Sequence, residues 1–349
     1  MRATSTFLAA ALFAAPVLCQ TTWILPAEYE FAWGRTSGTM LGGNSTRTQT
    51  VFASPFVPGT VITGMSIRPA VSTLDANAFT ATVEIRLSST TAVPGSLSST
   101  WANNVGNDEV VVLPQQSVSV PAMSANRGTG VFLDFTFNTP FVFGLNGNPN
   151  LCVDFLVYGR SAGASWSTDR AFAATNGRAT NWGYGCSPGL VTTTSTGGTY
   201  VNGSTVNFNV AGGLPNTLLL LVLSPNEKEV APGVPGPFPL DLIGAAPGCN
   251  LLIPLDILLA TISDGSGGAT LPLTITGLSQ FGFGAQWIAL VPPTPTNPAG
   301  IETLRGHHVW IGPEVVQPNG QAIYDLFNVA ATTATTSVNA MPVVRFTTL

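Results

Sequence analysis

Alternation of apolar and polar residues over short runs is the feature of this sequence that most limits its fold. From Phe79 to Leu87 every second residue is apolar, and the residues between them are two threonines, Glu84 and Arg86. Successive side chains of a strand point to opposite faces, so this run predicts a strand with one buried and one wet face. Strands of this kind are typical of antiparallel sheets.

The same pattern recurs at 131–137, 151–157 and 269–275, with turn-forming Gly, Pro, Asn and Ser between the runs. Thr217–Leu223 is continuously apolar, which predicts a strand covered on both faces. Helical patterns are nearly absent, and the best candidate, Ile257–Ile262, fits a strand equally well. The fold class is therefore all-β, of the β-sandwich or jelly-roll type.

The chain divides near residue 180. Ala173–Gly185 is small, polar and Gly-rich, as linkers are, and 349 residues suffice for two domains. We expect two jelly-roll-like β-sandwich domains in tandem, at 20–178 and 179–349. The second carries a C-terminal extension from about residue 314, with a strand-like piece at Met341–Phe346.

The N-terminus has the pattern of a secretory signal peptide. Arg2 precedes an apolar stretch, Phe7–Val17, and a cut before Gln20 would remove residues 1–19. Two alternatives remain open: a lipid attached to Cys19, although the preceding Leu18 is not small, or a buried first helix. We expect a secreted or cell-surface protein without a membrane span.

Charge is scarce, which excludes several function classes. Only 8% of the residues are charged, Lys228 is the single lysine, and the net charge is −5. Nucleic acids and anionic membranes attract clustered Lys and Arg, which this chain lacks. We expect no cofactor and no enzymatic activity.

Three cysteines remain after removal of a signal peptide, which allows one disulfide and one leftover thiol. We favour Cys186–Cys249, because both cysteines stand in Gly/Pro loop contexts. Cys152 lies within a predicted strand and suits a packed thiol. The pair Cys152–Cys186 is the alternative.

A serine-hydrolase pattern, G-x-S-x-G, occurs at Gly159–Gly163 and places Ser161 as a nucleophile. Asp169 and then His307 or His308 follow in the chain order of a triad. The motif requires a helix after the serine, and no helical period follows here. We interpret it as a hairpin turn.

Metal sites are not expected. His307 and His308 are adjacent in a predicted strand and point to opposite faces, so one ring should be exposed and the other should pack beside Trp310. Asp264 in the sequence DGSGG is a single carboxylate, whereas calcium loops supply several, so a Gly-rich hairpin turn is the better interpretation.

Acidic residues occupy the polar faces of three predicted strands: Glu84, Asp134 and Asp154. If these strands are neighbours, the carboxylates could bind a cation or form an acid/base pair. The alternative is a solvated face, and strand order decides between them.

Four aromatic residues stand in polar, loop-like segments: Trp101, Trp166, Trp182 and Tyr184. Exposed aromatic rings on a sandwich stack on sugars, which makes these residues the candidates for a glycan site. The alternative is that each ring plugs one end of its own sandwich.

Several phrases resemble a group of exported, uncharacterised bacterial tandem β-domain proteins. The first half carries FVPGTVITGMSIRP, TATVEIRLSSTTAVPGSLSSTWANNVG and LCVDFLVYG; the second carries GYGCSPG, GGLPNTLLLLVLS, FPLDLIGAAPGCNLL, SDGSGGATLPL and GAQWIAL. The resemblance covers roughly residues 50 to 312. It implies exported tandem β-domains and a Cys186–Cys249 disulfide, and it implies no activity.

These observations favour an exported, non-catalytic structural or adhesive protein. Low charge and a shortage of lysine leave sheet edges poorly protected against edge-to-edge association, although loops could cover them. The alternative is a carbohydrate-binding β-sandwich protein that uses the four aromatic residues, and a secreted hydrolase ranks third. The expected partners are an extracellular glycan or a second copy of the chain.

Overall fold

The computed structural model describes residues 20–349 except 31–32, 38–39, 71–75, 123–131, 162–165, 173–175, 184, 187–190, 196–198, 313–319 and 339. The expected signal peptide at 1–19 and Tyr184 lie outside the described residues. The described part contains strands and three short 3₁₀ helices but no α-helix. The all-β class predicted from alternation is confirmed.

The strands, in chain order, are β1 (Thr21–Leu25), β2 (Arg35–Ser37), β3 (Thr46–Phe52), β4 (Val61–Ile67), β5 (Phe79–Thr90), β6 (Val110–Val120), β7 (Leu133–Val142), β8 (Asn150–Arg160), β9 (Thr168–Phe172), β10 (Arg178–Trp182), β11 (Val191–Ser195), β12 (Thr205–Ala211), β13 (Leu218–Ser224), β14 (Glu229–Ala231), β15 (Val234–Pro235), β16 (Phe238–Pro239), β17 (Asn250–Leu251), β18 (Ile257–Ile262), β19 (Ala269–Thr274), β20 (Phe281–Leu290), β21 (Ile301–Ile311), β22 (Gly320–Asp325), β23 (Thr336–Val338), β24 (Ala340–Pro342) and β25 (Val344–Thr348). The 3₁₀ helices are Ala27–Tyr29, Trp101–Asn104 and Leu240–Ile243.

The strands form two groups of antiparallel sheets. The first group has a six-stranded sheet, β23-β22-β3-β8-β5-β6, a four-stranded sheet, β1-β25-β4-β7, and a three-stranded sheet, β2-β9-β24. The second has a five-stranded sheet, β10-β21-β20-β13-β18, and a three-stranded sheet, β11-β12-β19. Two short pairs, β14-β15 and β16-β17, complete the described strands.

Each group has its own hydrophobic core, and the packing within it is sandwich-like. In the first, Phe135 of β7 meets Phe155 of β8 edge to face, which joins the four-stranded sheet to the six-stranded one. In the second, Phe208 of β12 packs against Phe283 of β20. The inward residues of the alternating runs supply both cores, as the period-two pattern predicts.

The C-terminal strands correct the expected boundaries. β22 pairs with β3, β24 pairs with β9, and β25 lies between β1 and β4, so 320–348 builds sheets with the first half of the chain. Val344 and Phe346 of β25 are buried in the first core. The described strands of the extension expected to belong to 179–349 therefore pair with the first group of sheets.

Two local expectations gain detail. Ile257–Ile262 is a strand and not a helix. The apolar run at 217–223 forms β13, whose residues are mostly buried, but Leu218 at its start is exposed. No helix in the described ranges is long and apolar enough to cross a membrane.

Candidate functional site

The tryptophans predicted to bind glycans are buried. Trp101, Trp166 and Trp182 are 2%, 1% and 2% exposed, so none presents a ring face to a sugar. The structure favours the alternative, in which the rings are packing elements. Tyr184 lies outside the described residues.

The favoured cysteine pair is joined. Cys186 and Cys249 form a disulfide with a Cα–Cα distance of 4.6 Å, while Cys152 is a buried free thiol. Burial raises the pKa of the Cys152 thiol well above its usual value, so it stays protonated and unreactive. The alternative pair Cys152–Cys186 is not formed.

The residues of the serine-hydrolase pattern do not meet. The hydroxyl of Ser161 accepts a hydrogen bond from the backbone N–H of Thr80 at 2.9 Å. Asp169 is instead ion-paired with Arg68. The histidines bind other partners, described below, so no triad forms from the predicted residues.

Two of the three candidate carboxylates share one sheet face. Asp154 on β8 accepts a hydrogen bond from Arg47 Nε at 3.0 Å. Glu84 on the adjacent β5 accepts one from Arg86 Nε at 2.5 Å and one from the hydroxyl of Tyr158 at 3.1 Å. Each of the two carboxylates is thus paired with an arginine, and Arg86 also lies 3.9 Å from Glu109 Oε2.

Asp134 lies apart from the other two carboxylates. It is on β7 in the four-stranded sheet, is largely exposed, and accepts a hydrogen bond from Arg345 Nη2 at 2.8 Å. The cluster of three carboxylates considered above is therefore not formed.

The polar face of the six-stranded sheet is covered around Asp154. The ring of Trp101, in the loop after β5, lies 4.9 Å from the guanidinium carbon of Arg47. In the same loop Asn104 Nδ2 donates to Gln49 Oε1 at 2.9 Å. The loop excludes solvent from Asp154, which explains why alternation alone misplaces these residues on a solvated face.

His307 faces the core of the second group. Its Nδ1 lies 2.7 Å from Asn181 Oδ1, and its ring meets Phe208 edge to face. Burial, followed by the nearby guanidinium of Arg305, lowers the pKa of His307 to about 4. The ring is neutral at physiological pH.

His308 faces the opposite side of β21, as predicted, but it is also fully buried, so the expectation of one exposed ring is wrong. Its Nδ1 lies 2.7 Å from Glu227 Oε1, and its ring is 6.2 Å from that of Trp310. Gly282 and Gly284 on β20 make room: a Cβ at Gly282 would lie 2.5 Å from the Trp310 ring, and one at Gly284 would lie 3.0 Å from Glu227 Cγ.

Glu227 also ties the N-terminal segment to the second group of sheets. Its Oε2 accepts the backbone N–H of Trp33 at 3.0 Å, and the guanidinium of Arg178 donates to the Trp33 carbonyl at 3.3 Å. The ring of Tyr29 stacks on Trp310 with centroids 5.5 Å apart. These contacts join residues from both sheet groups.

The only lysine of the chain lies at this junction. Lys228 Nζ donates to the Tyr29 carbonyl at 2.9 Å, and Arg68 Nη1 donates to the same oxygen at 2.6 Å. Burial, followed by the charge of Arg68, lowers the pKa of Lys228 to about 6. The junction is thus held by buried and half-buried polar groups that hydrogen-bond across it.

Asp264 closes a turn. Its Oδ1 accepts hydrogen bonds from the Ser266 hydroxyl at 2.6 Å and the Gly268 N–H at 2.9 Å, which lower its pKa. This matches the hairpin-turn interpretation. Among the described residues no group of His, Cys, Asp and Glu is arranged to hold a metal ion.

The surface feature that sequence reasoning did not place is the open edge of the five-stranded sheet. β18 is the last strand and, among the described strands, pairs only with β13. Its residues Ile257, Leu258 and Ile262 are 52%, 51% and 64% exposed, and the strand carries no charge. In the sequence, the absence of charge from ILLATI is the one sign of such an edge. Only the strand order of the folded sheet shows that this segment is an edge strand.

The apolar surface continues from this edge across the sheet. Ile262 is opposite Leu218, which in turn is opposite Leu290, so three exposed apolar side chains form one row. An exposed, apolar, uncharged edge with an apolar row beside it has the chemistry of an association surface.

Comparison with known proteins adds no assignment. No family model matches the chain, and no curated protein matches it. Among solved structures the chain aligns with the subviral particle of infectious bursal disease virus VP2 at 14% identity and a TM-score of 0.12. The alignment covers 88% of this chain and 66% of the VP2 chain, just under two thirds of its length. A likeness at this TM-score carries no argument about fold or function.

Proposed function

We propose that the chain is an exported, non-catalytic structural protein of the cell surface or extracellular matrix that works by self-association. In this proposal its two sheet groups are tandem β-sandwich domains, and residues 1–19 direct export. The observation that carries the proposal is the open, apolar, uncharged edge formed by β18. Such edges template pairing with another chain unless charge, proline or a covering segment blocks them.

The state of the charged residues supports a structural role. The carboxylates singled out by sequence, Glu84, Asp134 and Asp154, are each bound by an arginine. The buried histidines are likewise engaged with Asn181 and Glu227. These carboxylates and the Nδ1 atom of each histidine are held by neighbouring side chains, and the Nε2 atoms of His307 and His308 are buried away from solvent without a hydrogen-bond partner.

The disulfide supports the exported location. Disulfides persist in oxidising compartments and are rare in the cytosol, so the Cys186–Cys249 bond fits a secreted protein. The carbohydrate-binding alternative loses support, because its three described tryptophans are buried.

The test has two parts. The full chain is expressed in a bacterial host with a secretion pathway, and the culture is separated into cytoplasm, cell surface or matrix, and medium. The purified chain 20–349 is then examined by sedimentation equilibrium over a concentration series. We expect surface or matrix retention and a mass that rises with concentration. A cytoplasmic product, or a strictly monomeric protein that diffuses freely in the medium, would refute the proposal.

A further inference from the structure

Among the sheet-edge strands of the described chain that carry neither proline nor charge, β18 is the longest and the most apolar. Edge strands are commonly guarded by proline, charge or shortness. Pro114 lies in β6, Pro140 in β7 and Pro272 in β19, each at the end of its sheet. β10 carries Arg178, and β23 has only three residues. The edge strands β1 (TTWIL) and β11 (VTTTS) have no proline or charge, but each is five residues long and contains fewer apolar residues than β18. β18 has six residues, none of them proline or charged, and pairs with β13 without a register shift.

The chemistry of this edge specifies its partner. Backbone N–H and C=O groups on the free side of a strand need donors and acceptors at strand spacing, which another extended backbone supplies. Building on the self-association proposed above, we propose that β18 pairs antiparallel with β18 of a second copy. The product is a two-fold dimer with a continuous ten-stranded sheet made from two five-stranded ones.

The burial pattern limits the register. Leu259 packs against the second hydrophobic core, whereas Leu258 and Ile262 face outward. Directly opposed residues of neighbouring strands point to the same face of a sheet. The core-facing side chains of the two copies therefore lie on one face of the joined sheet only when the two-fold axis places a residue opposite the same residue of the second copy. Near the strand centre, that residue is Leu259 or Ala260.

Charge chooses between these two registers. An axis at Ala260 places Asp256 opposite Asp264 of the second copy, and like charges directly opposed are destabilising. Asp256 accepts a hydrogen bond from the Ser224 hydroxyl at 2.6 Å, and Asp264 is fixed by its turn, so neither carboxylate is free to swing away. An axis at Leu259 places Leu258 opposite Ala260 and separates the carboxylates. The dimer register therefore centres on Leu259.

The first experiment adds charge to the edge. Ile262→Lys and Leu258→Lys are compared with Leu145→Lys, which also replaces an exposed leucine but lies in the turn between β7 and β8. Circular dichroism checks the fold, and sedimentation equilibrium measures the dimer dissociation constant. We expect the edge variants to weaken dimerisation by roughly tenfold or more, since each dimer would bring two ammonium groups into a desolvated edge. Leu145→Lys should match the wild type.

The second experiment measures register and does not depend on the lysine variants folding. Leu259→Cys and Ala260→Cys are each introduced together with Cys152→Ser, and disulfide-linked dimer is quantified after mild oxidation. The Leu259→Cys protein should cross-link faster. Preferential cross-linking through Ala260→Cys would overturn the register, and no cross-linking at either position would overturn the β18 pairing.

The two proposals fail separately. A wild-type chain that stays monomeric at every concentration contradicts self-association itself. A wild-type chain that associates, with edge variants that associate equally well, retains the proposed function and removes β18 as its interface.

Discussion

Substitution of the lone lysine should remove a specific pH dependence of stability. Lys228 has an ordinary pKa of about 10.4 when unfolded and a pKa of about 6 in the folded chain. Between these values the unfolded chain binds one more proton than the folded chain. Stability therefore rises with pH by about 1.4 kcal/mol per pH unit. Between pH 6.5 and 8 the gain from this one group is about 2 kcal/mol.

The physical cause is the removal of an ammonium group from water with little compensation. Lys228 donates to the Tyr29 carbonyl, while the Arg68 guanidinium opposes a second positive charge nearby. Asp169, Glu227 and Glu30 attract the charged form, but burial outweighs them. Folding therefore favours the neutral amine of Lys228, and a proton is released when the chain folds.

The assay is urea unfolding of residues 20–349 at four pH values from 6.5 to 8, for the wild type and Lys228→Met. Other titrating groups contribute equally to both proteins and cancel in the difference. The stability of Lys228→Met relative to wild type should fall by about 2 kcal/mol across this range. Lys228→Arg, which remains charged, should be less stable than wild type at pH 8. Parallel pH profiles for wild type and Lys228→Met would refute the argument.

Three further outcomes follow from buried groups. From pH 6.5 to 4, wild type should lose about 3 kcal/mol more stability than His307→Gln, since the folded ring resists protonation; equal losses in urea titrations would contradict this. Gly282→Ala should lower the free energy of unfolding by about 1–3 kcal/mol, because the added carbon lies 2.5 Å from the Trp310 ring. The control Gly159→Ala, which adds a carbon in open space, should not lower it. Thermal unfolding of both variants measures the difference. Cys152 should react with a thiol reagent only after denaturation, and rapid labelling of native protein by mass spectrometry would argue against its burial.

The strands that the sequence predicts best are those in which apolar and polar residues alternate, so that the apolar residues all point to the same hydrophobic core. Phe79–Leu87 and 151–157 lie within β5 and β8, because their apolar residues had a single face to bury. The partner of each strand was not predictable in this way. β25 carries an ordinary apolar pattern, and nothing in its residues states that it lies between β1 and β4, more than 270 positions away in sequence. Pairing over such separations depends on the whole fold.

The predicted exposure of the candidate site residues was wrong for a related reason. Trp101 stands in a polar loop, and local composition suggests exposure, yet the loop folds back and places the ring over Arg47. His307 and His308 point to opposite faces, as strand geometry requires, but both faces of β21 are covered. Alternation predicts the direction of a side chain, whereas burial depends on what packs above it. Only the disulfide partners Cys186 and Cys249 were suggested by local context and are joined in the structure.

The scarcity of charge has opposite consequences at the junction and at the β18 edge. At the junction Arg68, Asp169 and Glu227 lie buried and Lys228 is half-buried, and each has a defined partner that fixes how the segments meet. At the β18 edge no charge remains to deter another strand, and the flanking Asp256 and Asp264 select one register over its neighbour. A chain with this composition can specify its own interior through a few buried polar contacts while leaving the apolar edge strand β18 without charge.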